Sequence, residues 1–177
     1  MPKKVLLIIA HEGFQPMEYS APKKVLADAG VTVVTASDAS GIATSAHTGE
    51  RVMVDLTLLE VRAVDYDGIF FIGGQGALDH LDNEDSYRVA REAAASGKLW
   101  GAICVSPRIL ANAGVLKNKI ATGWDGDNEL AGILAAAGAT YQRESVVQDG
   151  QLITGSGPAA AEEFGKTILA VLTMVLA

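Results

Sequence analysis

The chain is short of the residues that many functions are built from. It contains a single cysteine, Cys104, which excludes an internal disulfide and a zinc site made of several thiolates, so no metal is expected. It has no run of Lys and Arg, and its formal charge of −7 repels phosphate backbones, so nucleic acid is not an expected partner. Apart from the first strand, the longest apolar stretch is Ile168 to Ala177. It falls well short of the roughly 20 residues that a bilayer crossing needs, so no membrane span is expected. Lys3-Lys4 followed by Val5 to Ala10 looks superficially like a leader, but six apolar residues closed by Glu12 are too few. A lone thiol without a leader points to a reducing cytoplasm and leaves that thiol free to react. There is no internal repeat, low-complexity tract or Pro/Ser-rich linker. The 177 residues, 49% hydrophobic and 20% charged, suit one domain over 1–177 with a real core.

What is present alternates. Short apolar runs at Val5–Ala10, Val31–Ala36, Ile69–Ile72, Leu99–Cys104 and Leu152–Thr154 read as buried strands. Between them, Met17–Ala29, Ser86–Ala95, Pro107–Ala113, Asn128–Ala137 and Ala159–Leu176 read as helices, the first two stopped by Gly30 and Gly97. Strict alternation of this kind implies βαβ crossovers and a mostly parallel sheet covered on both faces, a three-layer α/β/α sandwich. The stretch 43–54 breaks the rhythm with two β-prone pieces around His47-Thr48-Gly49, and is predicted to be an antiparallel excursion.

In an open parallel sheet, ligands gather beyond the carboxyl ends of the strands. Cys104 ends such a strand, and Pro107, suited to a first helical turn, follows three residues later. A turn this tight requires small residues two positions either side of its apex, and Ala102 and Ser106 meet that need. A thiol at such an elbow, near free N–H groups and a helix start, is expected to be unusually acidic. The alternative is an inert core thiol, since free cysteines are among the most buried residues.

Glu18 follows the first strand in the opening turn of the next helix, at the same sheet edge. Partly desolvated there, its carboxyl would stay protonated and donate to sulfur; alternatively it only complements the helix dipole. Gly73-Gly74-Gln75-Gly76 follows the strand Ile69–Ile72. Its glycines allow a backbone N–H to approach a ligand closely, and Gly74 and Val105 are candidates to hold an oxyanion. The loop lacks both the Walker lysine and the dinucleotide pattern, so a flavin or nucleotide rests on fold analogy alone and no cofactor is expected.

Met17-Glu18, Tyr66-Asp67-Gly68 leading to Gly73-Gly74, Ala102-Ile103-Cys104 and the stretch from Thr154 to Pro158 occur in this order. Together they make the chain resemble the ThiJ/PfpI superfamily, which includes a parkinsonism-associated protein deglycase and the so-called intracellular proteases. The resemblance runs from Lys4 to about Leu172. It implies a flavodoxin-like sandwich of the class I glutamine amidotransferase-like type, homodimers or larger assemblies, a reactive cysteine at Cys104, a glutamate partner at Glu18 and oxyanion positions at Gly74 and Val105. The chain departs from the pattern in its base. The protease-like branch has histidine directly after the cysteine, where this chain has Val105, and the deglycase branch has one in the stretch that here reads Thr122-Gly123-Trp124-Asp125. His11, His47 and His80 all lie off the family's catalytic positions; His11, following the first strand, is the leading substitute. Trp124 and Asp125 are expected to border the pocket, or else to pack and cap the helix near Asn128.

Two functions follow as expectations. One is a cysteine-dependent enzyme acting on small reactive carbonyls, glyoxalase- or deglycase-like or a related hydrolase, with Cys104 as nucleophile and Glu18 as proton partner. The other is a redox-responsive stress protein whose Cys104 is oxidised to a sulfinic acid held by Glu18, with an oxidant as its partner and no turnover. Peptidase activity is not expected, because acyl transfer to cysteine needs a base and none is evident.

Overall fold

A computed structural model describes residues 1–174. The strands are β1 (Lys4–Ile9), β2 (Glu12–Phe14), β3 (Thr32–Ser37), β4 (Ile42–Ser45), β5 (Arg51–Met53) and β6 (Leu56–Thr57), followed by β7 (Gly68–Phe71), β8 (Leu99–Ile103), β9 (Ile120–Ala121), β10 (Thr140–Tyr141), β11 (Val146–Asp149) and β12 (Leu152–Gly155). The helices are α1 (Pro16–Asp28), α2 (Ala77–Leu81), α3 (Glu84–Ala95), α4 (Pro107–Asn112), α5 (Leu130–Ala136) and α6 (Ala161–Met174).

A seven-stranded sheet in the order β11-β12-β8-β7-β1-β3-β6 forms the centre. Every neighbouring pair in it is parallel except β11 with β12. Helices α1 and α6 pack together against it, and α3 packs on α4, which packs on α5. Strands between two helical layers are buried on both faces, which is why β1 shows Val5 to Ile9 as one unbroken apolar run instead of an alternation. The flavodoxin-like α/β fold with a mostly parallel sheet is therefore the fold of this protein.

The helix boundaries have local causes. Gln15 caps α1 by accepting from the Glu18 N–H at 3.0 Å, Pro16 opens the helix, and Gly30 leaves it at φ 82°. The Asn83 side chain caps α3 by accepting from the Ser86 N–H at 3.2 Å.

The excursion at 43–54 is antiparallel as expected: β4 pairs with β5, and β2 joins them in a separate three-stranded sheet. This small sheet carries the His47 turn to the carboxyl edge of the main one. Three features differ from the sequence reading. Helix α2, only five residues long, shows no periodicity to detect. Strand β11 pairs antiparallel with β12 as a hairpin edge, and β9 pairs with β10 in a short parallel sheet. Helix α5 begins at Leu130 because Asn128 takes φ 62°, outside helical space. The last two residues of the predicted terminal helix, 175 and 176, lie outside the described residues.

Candidate active site at the Cys104 elbow

β8 delivers Cys104 to the carboxyl edge of the sheet, where the chain turns sharply into α4. The turn is held from both ends. The Cys104 N–H donates to the Gly155 carbonyl at 2.9 Å, and the Cys104 carbonyl accepts from the Trp124 N–H at 2.7 Å. Cys104 itself sits at φ 65°, a left-handed conformation that costs a non-glycine residue about 1–3 kcal/mol and marks a position over-determined by its surroundings. The small flanking residues serve the fold as expected. Ala102 is fully buried between β7 and β12, and the Ser106 hydroxyl donates to the Ile72 carbonyl at 2.7 Å.

Glu18, on the first turn of α1, is fully buried. Its Oε1 accepts from the Gly73 N–H at 3.0 Å, whereas Oε2 has no partner in hydrogen-bond geometry. Gly73 brings the two reactive groups together: a methyl group built on it would lie 2.6 Å from the Cys104 Cβ and 2.6 Å from Glu18 Oε1. Gly74 follows at φ 127°, where an added Cβ would run into the backbone of residues 13–15, so only glycine fits there.

The electrostatics correct one expectation. Burial pushes the Glu18 carboxyl up to about 7, against the opposing pull of the Cys104 thiol and the Gly73 N–H. Burial also pushes the Cys104 thiol up, and the neighbouring Glu18 charge and its acceptor oxygen add to that. The N–H groups of Val105 and Gly74 lie against the sulfur and favour its ionised form, but with smaller effect. Burial thus raises both groups, the thiol included, and Cys104 and Glu18 titrate as one coupled pair.

A cleft of about 470 Å³ opens above the sulfur. Cys104, Gly74, Val105 and Trp124 line it. Glu18 lies beneath it and His11 away from it: the His11 imidazole Nε2 is bound to the Ser40 carbonyl at 3.0 Å. Asp125 also lies off the cleft, with Oδ1 accepting from the Leu130 N–H at 3.0 Å as a cap of α5 and Oδ2 paired with Arg143. The sequence reading missed Gln15, His47, Gln75 and Leu78 on the cleft wall. The only available signal for His47 was its place in the turn of the antiparallel excursion. Trp124 is steadied by Arg108, whose guanidinium lies 5.5 Å from the indole centroid and donates 2.8 Å bonds to both Asp127 oxygens. Those bonds hold the Asp127 carboxyl down to about 2.

No group of His, Cys, Asp and Glu among the described residues is arranged to hold a metal ion, and no helix among them is long and apolar enough to cross a membrane.

The chain is similar to known proteins over nearly its whole length. An uncharacterized protein of Methanocaldococcus jannaschii is 34% identical over 167 residues, covering 94% of this chain and 80% of that one. An uncharacterized protein of Staphylococcus aureus is 34% identical over 172 residues, covering 96% and 98%. Among solved structures, a ThiJ/PfpI domain protein from Brachyspira murdochii superposes with a TM-score of 0.91 at 26% identity, covering 98% of this chain and 99% of that one. Drosophila melanogaster DJ-1beta superposes with a TM-score of 0.86 at 30% identity, covering 97% and 91%. The model of the DJ-1/PfpI family matches residues 3–171. With the family's match spanning nearly the whole chain and its strand-to-helix cysteine in place, this protein belongs to the DJ-1/PfpI family.

Proposed function

We propose that this chain is a cysteine-dependent enzyme acting on small reactive carbonyls, with Cys104 as nucleophile and Glu18 as its base. The observation that carries the reading is the fully buried Glu18 carboxyl, with Oε2 unpartnered, set next to the one thiol that opens into a cleft. A carboxylate poised near pH 7 is suited to take a proton at that pH, and it replaces the histidine this chain lacks at the family's positions. In the step proposed, sulfur attacks the carbonyl carbon and a C–S bond forms as the C=O π pair moves to oxygen. The thiol proton passes to Glu18. The N–H groups of Gly74 and Val105 then receive the oxyanion, giving the anion of a hemithioacetal. A cytoplasmic setting suits a thiol that must stay reduced, and assembly as a homodimer or larger oligomer is part of the same proposal. Methylglyoxal consumption by the wild type and by Cys104→Ser, with metal chelated and buffer-catalysed loss subtracted, tests the reading. Consumption is expected to need the thiol, and equal rates would reject it.

A second reading has its own support. The same two N–H groups and the buried carboxyl surround the sulfur as they would the oxygens of a sulfinic acid. One similar structure, at 28% identity and a TM-score of 0.84, is of Toxoplasma gondii DJ-1 in an oxidized form. In this reading two equivalents of peroxide each transfer one oxygen to Cys104 and leave as water, and the protein is a redox-responsive stress protein without turnover. Intact mass after mild peroxide, compared with Glu18→Leu, decides it: a thiol that does not gain two oxygens counts against it.

A further inference from the structure

We propose that His47 is the acid–base residue on the open side of the cleft, exchanging protons between the substrate oxygen and water. This rests on the carbonyl reading above and adds a group that it lacks.

The need arises from burial. Glu18 has no exposed surface and does not line the cleft, so the only proton it trades is the one on sulfur. The oxygen of a carbonyl adduct needs a second donor, one that faces both substrate and solvent. Besides Cys104, the side chains of the cleft wall are amides, apolar groups, an indole and the His47 imidazole. Imidazole is the member of that set suited to give and take protons at neutral pH.

Two further observations set His47 apart. The first is its backbone. His47 sits at φ 63°, left-handed for a non-glycine residue, on a turn between β4 and β5 that is bound on every side. The Ser45 and Thr48 hydroxyls are 2.8 Å apart, the Glu50 N–H donates to the Ser45 hydroxyl at 2.8 Å, and the Ala46 N–H donates to the Phe14 carbonyl at 2.8 Å. A left-handed residue held this firmly on the cleft wall matches the pattern of backbone strain concentrated at functional sites. The second is the ring. His11 is tied to the Ser40 carbonyl and His80 to Asp38, each at 3.0 Å, whereas the exposed His47 imidazole has no hydrogen-bond or ion-pair partner among the described residues.

In the adduct step, the imidazolium gives its proton to the oxygen as that oxygen takes the C=O electron pair, and it is reloaded from water. The thiol proton waits on Glu18 and returns to sulfur when the C–S bond breaks.

The test uses His47→Asn and His47→Gly, because both residues accept a left-handed backbone and keep the turn intact. Iodoacetamide is expected to alkylate Cys104 in both at the wild-type rate, while methylglyoxal turnover falls roughly 100-fold or more, as for loss of a general acid–base group. Added imidazole is expected to restore His47→Gly in proportion to its concentration, and His47→Asn not at all. If His47→Asn turns over like the wild type while Cys104→Ser is inactive, this inference alone falls. A loss in His47→Gly that imidazole does not repair also overturns it. If Cys104→Ser equals the wild type, the carbonyl reading falls and takes the inference with it.

Discussion

Gly73→Ala is the sharpest test of the geometry. The Gly73 backbone does not lie in the left-handed region, so alanine is conformationally acceptable and the perturbation is steric alone. The added methyl meets the Cys104 Cβ and Glu18 Oε1 at 2.6 Å each and the Ile103 carbonyl oxygen at 3.0 Å, where ordinary contact is 3.4–4 Å. Relief from 2.6 Å to that range moves each group by about 1 Å, and the fully buried Glu18 has a packed interior around it. Overpacking of this kind costs about 1–3 kcal/mol of stability. Misplacing reacting groups by about 1 Å costs on the order of 100-fold in rate. Urea denaturation would read the first and iodoacetamide alkylation of Cys104 together with methylglyoxal turnover the second. Gly132→Ala, at an exposed position of α5 with nothing within 4 Å, is the control and is expected to stabilise by roughly 0.5–1 kcal/mol through helix propensity. If Gly73→Ala unfolds at the wild-type midpoint and its thiol reacts at the wild-type rate, then Cys104 and Glu18 are not confined around Gly73 and the site described above is wrong.

Two predictions concern protons. The folded Glu18 carboxyl is raised from 4.5 to about 7, so the folded state keeps a proton that the unfolded chain has lost. Stability therefore falls as pH rises through that window, by roughly 3 kcal/mol in total at about 1.4 kcal/mol per pH unit. Glu18→Gln removes this slope, so urea midpoints of variant and wild type should diverge between pH 4.5 and 7 in the variant's favour; parallel curves would contradict the burial argument. The same substitution removes the Glu18 charge, which helps to raise the thiol, and leaves burial as the main cause of that rise. The pH profile of Cys104 alkylation should then move to lower pH, and a profile that stays or moves upward would mean that Glu18 donates a proton to a thiolate.

Some of the site is written in local chemistry. The elbow was legible because a strand that turns directly into a helix demands small residues at fixed offsets, and Ala102 and Ser106 stand on either side of Cys104. Glu18 was placed at the right edge because the end of β1 and the opening of α1 are both marked by residue type. His47 could not be told from His11 in this way. The sequence favoured His11, which follows the first strand, but the Ser40 carbonyl claims its ring while the β4–β5 turn brings His47 to the cleft. Asp125 failed for a similar reason, since the Leu130 N–H and Arg143 occupy its oxygens.

The sequence by itself determined the layered parallel architecture, because burial on two faces requires unbroken apolar strands and helices closed by glycine. It also determined the position of the thiol, because the tight turn admits few residue types. Only the tertiary structure decided that Cys104 and Glu18 are buried against one another and which histidine meets the cleft. Those outcomes depend on burial and charge summed over α1, β8, the loop after β7 and the β4–β5 turn, segments far apart in the chain that come together only when it folds.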